Sequence, residues 1–315
     1  MVSVITPAYN AMPFLKATIE SIRLQKYPGL EHIVMDGGSM DGTCELLQQY
    51  PEITWLSEKD RGQSHALNKG FEQAKGEIIG WLNADDLYEP GAIHTAVNFL
   101  EAHPEIDLVC SDLNIIDEEG KYIGVTRSAT FQVEDLLFEN RVKQPTVFMR
   151  RKVIDQLKGV DEQYHYVMDR EFWLRVGIAG FKIHYLEGEI LASFRFCKGT
   201  KSFEDTPNFR DEWYAVLQKV YSTPYFDTLS PAIKQKALDK NRSAFHVAKM
   251  IKAIDKGERK ETLIHFYRAI MKDYNLLLNK GIWLYLFQGM TGNGTDRLRK
   301  FKKNADNVSE NRKHA

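Results

Sequence analysis

Short apolar runs alternate with stretches whose apolar positions recur every three or four residues through the first 112 positions. VSVIT (2–6), HIVMD (32–36), ITWLS (53–57), EIIGWL (77–82) and DLVCSD (107–112) are short, rich in β-branched and aromatic residues, and read as buried strands. Pro13 to Leu24 carries Phe14, Ile19 and Ile22 on one face and reads as a helix. A second helix runs from about Gly42 to Gln49 with Asp41 placed as its N-cap, a third passes through Ala66 to Ala74, and a fourth runs from about Pro90 to Ala102. This order predicts an α/β fold with a Rossmann-like, mostly parallel central sheet flanked by helices. Ligands of such sheets bind beyond the carboxyl ends of the strands, so Asp36, Glu58 to Arg61, and Asn83 to Asp86 are expected to converge.

The texture changes near Gln144. QPTVFMRR reads as a strand entering a helix, MDREFWLRVGIAG as an amphipathic helix closed by Gly180, and KIHYLEGEILASFRF as a strand pair. Beyond Asn208 long charged helices are expected over roughly 209–221, 229–256 and 259–280. The expected organisation is a domain over 1–205, with halves at about 1–112 and 113–205, then a helical extension over 206–290 and a polar, basic, partly disordered tail over 291–315.

Five clusters carry candidate chemistry. In DGGSMDGT (36–43) an aspartate at a strand end precedes glycines that admit a ligand to the backbone, which suits a base or ribose; capping a turn is the plainer reading. In WLNADD (81–86) adjacent carboxylates follow an apolar strand, as a hard divalent cation shared with phosphates requires, or else they cap the next helix. EKDRGQSHALNKG (58–70) offers Arg61 and Lys69 to phosphates and Asp60 to a base or sugar, and would otherwise be a solvated helix start. Asp169 in YVMDREFWLRVG (166–177) opens a helix whose Phe172, Trp173 and Val176 form the buried stripe; it is a helix cap or a general base for a hydroxyl. RFCKGTKS (195–202) is a basic loop able to close over a diphosphate, or an ordinary exposed loop.

Composition narrows the classes. The 315 residues are 43% hydrophobic and 27% charged with a formal net charge of -1, which gives no whole-chain attraction to nucleic acid. Cys44, Cys110 and Cys197 are odd in number and lack CxxC spacing, which argues against a disulfide framework and suits a reducing compartment. No signal peptide is visible, and Gly281 to Met290 is too short to span a bilayer, so the expected location is cytoplasmic, with peripheral contact at the inner face of the membrane left open. There is no GxGxxG opening a helix, no GxxxxGK[ST], no HExxH and no GxSxG, which removes support from dinucleotide oxidoreductases, P-loop NTPases, zincins and α/β-hydrolases.

Taken in order, these segments resemble glycosyltransferase family 2, whose fold is GT-A. VSVITPAYN and DGGSMDGT resemble its opening signature, EKDRGQSHALNKG and WLNADD its second nucleotide segment and DxD region, and QPTVFMRR with MDREFWLR its acceptor-side motifs. The resemblance covers about residues 1–203. It implies an inverting, metal-dependent hexosyltransferase moving a sugar from a nucleotide diphosphate donor, most often a UDP-sugar, to a hydroxyl of a glycan or lipid-linked acceptor in surface polysaccharide synthesis.

By the same resemblance, Pro7, Tyr9, Asp36, Asp60, Arg61, Asn68, Lys69, Asn83, Ala84 and Asp85 would bind the nucleotide-sugar. Asp85 would hold Mn²⁺ or Mg²⁺, and Asp169 would be the catalytic base. Asp86, Gln144, Arg170, Glu171, Trp173, Arg195, Lys198 and Lys201 would serve the acceptor or the diphosphate loop. Two positions depart from the pattern: Asn83 replaces the first DxD aspartate, though its carbonyl oxygen remains a ligand, and Cys197 stands where a histidine is frequent. A sugar nucleotidyltransferase would want a Gly-rich basic loop after the first strand, which ITPAYNAMPF lacks. A non-catalytic nucleotide-sugar or glycan-binding module would have no need of Asp169.

Overall fold

The computed structural model describes residues 1–197, 200, 206–227 and 229–291. The chain divides into two compact units, Met1–Phe196 and Cys197–Ala315. The expected domain boundary at 205, the loop residues Lys198 and Lys201, and the tail beyond 291 lie outside the described residues.

Four strands of the first unit form the parallel half of its sheet: β1 (Val2–Ala8), β2 (Leu30–Asp36), β3 (Thr54–Ser57) and β4 (Ile78–Trp81), in the spatial order β3-β2-β1-β4. Every residue of β1 is buried, which is why VSVIT is apolar without alternation. Helices α1 (Met12–Arg23), α2 (Thr43–Leu47) and α3 (Gln63–Gln73) are the crossovers, and α1 turns Leu15, Ile19 and Ile22 inward. Ala8, Leu15, Ile19, Val34, Leu46 and Leu47 belong to one apolar cluster beneath the tips of β1 and β2. That packed base holds the loops above it in place.

Beyond β4 the sheet is mixed. β5 (Leu87–Tyr88) precedes α4 (Ala92–Ala102), followed by β6 (Leu108–Ile116), β7 (Tyr122–Thr126), β8 (Phe148–Arg150), α5 (Arg151–Leu157), α6 (Met168–Ile178) and β9 (Ile183–Arg195). β8 runs antiparallel between β4 and β6, β9 lies parallel to β6, β5 pairs antiparallel with β9, and β7 pairs with β6. The described residues thus give a nine-stranded sheet, parallel on one side and mixed on the other. The expected strand pair in KIHYLEGEILASFRF is one strand. Its register on β6 jumps from Leu186 opposite Ser111 to Ile190 opposite Asp112, and Gly188 takes a positive φ of 82° inside the bulge. The glycine that reads as a hairpin turn is a bulge residue.

The second unit is helical where described: α7 (Thr206–Val220), α8 (Pro231–Asp255), α9 (Arg259–Lys272) and α10 (Lys280–Thr291), with short 3-10 turns at Pro224–Phe226 and Tyr274–Leu278. Met250 and Ile254 of α8 form an apolar cluster with Ile282 of α10. Among the described residues, no helix is long and apolar enough to cross a membrane.

Candidate active site

The parallel register aligns Ala8, Asp36 and Ser57 in one row at the carboxyl ends of β1, β2 and β3, and Trp81 ends β4 beside Ile5. The loops that follow rise from one edge of the sheet, the site expected of a parallel α/β fold.

Asp36 is buried. Its Oδ2 accepts from the Gly38 and Ser39 amides at 3.1 and 2.9 Å and from Ser57 Oγ at 2.6 Å, while Ser39 Oγ donates to Oδ1. Burial pushes this carboxyl up, but the donors from Ser39, Ser57 and Gly38 outweigh it and hold Asp36 below the usual carboxylate range. The turn-capping reading of the strand-end aspartate is what these bonds show: its side chain shapes the 37–40 loop, which stands at the carboxyl edge of the sheet. Asp60 closes on the same loop. A Cβ at Gly37 would stand 2.8 Å from Asp60 Oδ2, so the glycine is what lets that carboxylate approach the backbone. Asp60 Oδ1 also accepts from the Gly62 amide at 2.7 Å. Pro7 is buried in β1, whereas Tyr9, one residue past its end, is 65% exposed.

The loop after β4 is held from several directions. Trp81 Nε1 donates to Asn83 Oδ1 at 3.0 Å, and Gln63 Nε2 donates to the same oxygen at 2.9 Å. Asn83 Nδ2 donates to Gln144 Oε1 at 2.9 Å, and Gln144 Nε2 donates to the Trp81 carbonyl at 2.7 Å. An indole N–H can only donate and a carbonyl can only accept, so both amides have one orientation that satisfies the ring of bonds. The Asn83 carbonyl oxygen, expected as a spare metal ligand, therefore already accepts two hydrogen bonds.

Thr18 Oγ1, on α1, lies 2.8 Å from the carbonyl of the buried Ala84 and 2.9 Å from that of Asp86. Arg195 is buried at the end of β9: its amide donates to Asp86 Oδ1 at 3.0 Å and its Nε to the Asp85 carbonyl at 3.0 Å. Its Nη1 donates to the carbonyls of Asp117 and Glu118, and the guanidinium lies over Phe14. Arg195, expected to serve the acceptor or the diphosphate loop, clamps the loop that carries Asp85 and Asp86.

The two adjacent carboxyls differ. Asp86 is fully buried and accepts from Arg195 and weakly from Asn83 at 3.5 Å; burial and then the Asp85 charge push it well above the ordinary value. Asp85 is half-buried, with protein packed closely enough that desolvation raises it, opposed by its own amide and the Arg195 charge. Among the described residues, no side chain hydrogen-bonds to the Asp85 carboxylate. Among the described residues, no group of three or more His, Cys, Asp and Glu forms a ready metal cage.

Asp169 lies in the first turn of α6. Burial raises its carboxyl, opposed by the Arg170 amide and charge and by a hydrogen bond with Asn140. Trp173 of the same helix is fully buried, and its ring lies 6.1 Å from that of Trp81, seating α6 against the tip of β4. The segment Asn140 to Gln144 thereby serves both halves, Asn140 reaching Asp169 and Gln144 reaching Asn83.

Other expected site residues have partners within the fold. Arg61 pairs with Glu162 at 2.7 Å, Lys69 with Glu58 at 2.8 Å, and Asn68 exchanges hydrogen bonds with the Val160 backbone. Arg170 is buried, its Nη2 donating to the Leu136 carbonyl, and Glu171 is buried against Arg175. Thr18, Gln63 and Asn140 are the contributors that sequence reasoning passed over. Gln63 alone had a local signal, its place at the start of the helix after Asp60.

Comparison with known proteins matches this architecture. The chain is 27% identical over 225 residues to the putative teichuronic acid biosynthesis glycosyltransferase TuaG of Bacillus subtilis, covering 68% of this chain and 86% of that protein. Its fold is similar to that of S. aureus TarS residues 1–349 in complex with UDP-GlcNAc, with a TM-score of 0.62 at 16% identity over 98% of this chain and 92% of that one. It is also similar to the mannosyltransferase PcManGT of Pyrobaculum calidifontis in complex with GDP-Man and Mn²⁺, with a TM-score of 0.57 at 20% identity, covering 93% of this chain and 86% of that one. The family profile described as glycosyl transferase family 2 matches residues 3–162, half of the chain, and the strand-end loops just described lie within that span. The chain belongs to glycosyl transferase family 2 and is a glycosyltransferase with the GT-A fold.

Proposed function

We propose that this enzyme transfers a hexose-type sugar from a UDP-sugar to a hydroxyl of a glycan or lipid-linked acceptor, with inversion, in the synthesis of a surface polysaccharide. The observation that carries the reading is the pair Asp85 and Asp86: two adjacent carboxyls on the loop after β4, one tied to Arg195 and the other without a side-chain hydrogen bond among the described residues. The uridine assignment follows the family habit and agrees with the bound UDP-GlcNAc of TarS; the guanosine donor of PcManGT is the alternative.

A divalent cation fits this loop, because its charge would offset the burial that raises both carboxyls and the Asp85 charge that raises Asp86 further. Asp85 would hold it, and Mn²⁺ or Mg²⁺ supplies charge neutralisation of the departing diphosphate when bound. In this reading the loop at Gly37 and the Asp60 carboxylate receive the nucleoside. Asp169 takes the proton of the acceptor hydroxyl as its oxygen bonds to the anomeric carbon. The bond from that carbon to the diphosphate oxygen breaks, and UDP leaves with the electron pair. One displacement inverts the centre, so a UDP-α-sugar yields a β-linkage.

The test is a thermal-shift screen against UDP, GDP, dTDP and CDP, with and without Mn²⁺. A ligand at ~100 times its dissociation constant adds about 2.7 kcal/mol of stability. Stabilisation by UDP that requires the metal supports the reading. No shift with any nucleotide would favour a binding module for another ligand.

A further inference from the structure

We propose that the outer face of α9 and α10, with the turn between them, docks on an anionic lipid surface. The face is apolar and open. Tyr267, Met271, Leu278, Trp283, Leu284 and Phe287 are all exposed, Leu278 at 84% and Phe287 at 64%. Tyr267 and Met271 are four residues apart on α9, as are Trp283 and Phe287 on α10, so each helix presents a stripe. α10 has already met its packing need on the opposite side, where Ile282 joins Met250 and Ile254 of α8.

Trp283 ties α10 to α9 and to the turn between them. Its ring lies 5.3 Å from that of Phe266 on α9, and its Nε1 donates to the Leu277 carbonyl at 2.8 Å in the intervening turn. With that N–H satisfied inside the protein, what it turns outward is apolar ring. Monomeric proteins rarely expose contiguous apolar patches of this kind without a partner.

Charge selects the occupant. From Arg259 to Thr291 there are five Lys or Arg against two acids, although the whole chain has a formal net charge of -1. Arg268, Lys272 and Lys280 are exposed on the helices that carry the stripes. The sequence then runs into RLRKFKK (297–303), five basic residues in seven. Apolar and aromatic side chains on helices that also expose cations match the boundary of an anionic bilayer, where rings and aliphatic chains enter the acyl layer and cations meet headgroup phosphates. A second copy of the same basic face would meet like charge.

The test uses the full chain with sedimented vesicles of phosphatidylcholine alone or mixed with phosphatidylglycerol. The expected result is co-sedimentation with the mixed vesicles only, weakened by added salt. Leu278→Glu and Leu284→Glu alter exposed positions, and each should lower partitioning roughly tenfold or more while circular dichroism and melting stay unchanged. Failure to sediment, equal sedimentation with neutral vesicles, or equal sedimentation of the variants would overturn the proposal. So would concentration-dependent self-association abolished by Leu278→Glu, which would assign the face to a second copy. The assay reads no sugar transfer, so its outcome is independent of the donor screen.

Discussion

Asn83 and Gln144 meet amide to amide, with Asn83 Nδ2 donating to Gln144 Oε1 at 2.9 Å across 61 residues of sequence. Gln144 cannot turn around, because its Nε2 is committed to the Trp81 carbonyl; Asn83 cannot either, because its Oδ1 faces the Trp81 indole N–H. Position 83 must therefore donate on one side and accept on the other. That requirement accounts for the carboxamide at the first DxD position.

Asn83→Asp is predicted to destabilise the protein, although it restores the family pattern. A carboxylate there sets an acceptor against Gln144 Oε1 and adds a third negative group beside Asp85 and Asp86. If Gln144 flips to donate, its oxygen then faces the Trp81 carbonyl. A buried polar pair broken in this way costs about 1–3 kcal/mol. Urea denaturation should show that loss, and it should shrink when Gln144→Ala is added, since the two sites share one interaction. An Asn83→Asp protein as stable as the parent would mean the amide ring does not hold the loop.

This network also marks where sequence reading stops. The strand tips at Asp36, Ser57 and Trp81 were legible, because each ends an apolar run and strand ends of parallel sheets share an edge. Gly180, with a positive φ of 84° just past α6, was legible as a helix stop. The partners were not. Thr18 reaches the Ala84 carbonyl across 66 residues and Arg195 reaches Asp86 across 109, and nothing local in either stretch announces the other end. The same blindness hid the partners of Arg61, Lys69 and Asn68, since Glu162, Glu58 and the Val160 backbone meet them only in the fold.

Arg195→Lys should cost more than a retained positive charge suggests. Three backbone carbonyls (Asp85, Asp117 and Glu118) accept from this guanidinium, and an ammonium cannot span the same fork. At least one of these part-buried carbonyls would lose its charged donor, at about 1–3 kcal/mol. The loop carrying Asp85 would loosen with it. Thermal melts should fall and nucleotide affinity should weaken together. A variant that melts lower but binds UDP with metal as tightly as the parent would confine Arg195 to stability alone.

His32 predicts acid sensitivity. It is buried on β2 with its Nε2 3.0 Å from Thr6 Oγ1, and burial lowers its pKa from the ordinary 6.5 to about 3. Between those two values the unfolded chain binds a proton that the folded chain refuses, so stability rises with pH across that window and is lost on acidification below about 6.5. At pH 5 this group alone should remove about 2 kcal/mol relative to neutral pH. Urea midpoints measured at pH 7 and pH 5 should show the difference, and His32→Gln should reduce it. An unchanged pH slope in His32→Gln would show that the imidazole is charged in the folded protein.

Asp169 carries the sharpest consequence. Burial raises its carboxyl, so it holds its proton to a higher pH than an ordinary aspartate, and turnover that needs the carboxylate should fall as pH drops through that raised value. Stability has the opposite sign. Between the ordinary and the raised value the folded chain keeps a proton that the unfolded chain has released, so stability declines as pH rises through that window and stays lower above it. Asp169→Asn is neutral throughout and keeps the shape of the side chain beside Asn140. At pH 7 it should melt at the same temperature as the parent or higher, while turnover falls by about 10²–10⁴-fold and UDP binding is retained. Loss of melting temperature along with activity would indicate a helix cap rather than a base. Undiminished turnover would move the base role to another carboxylate.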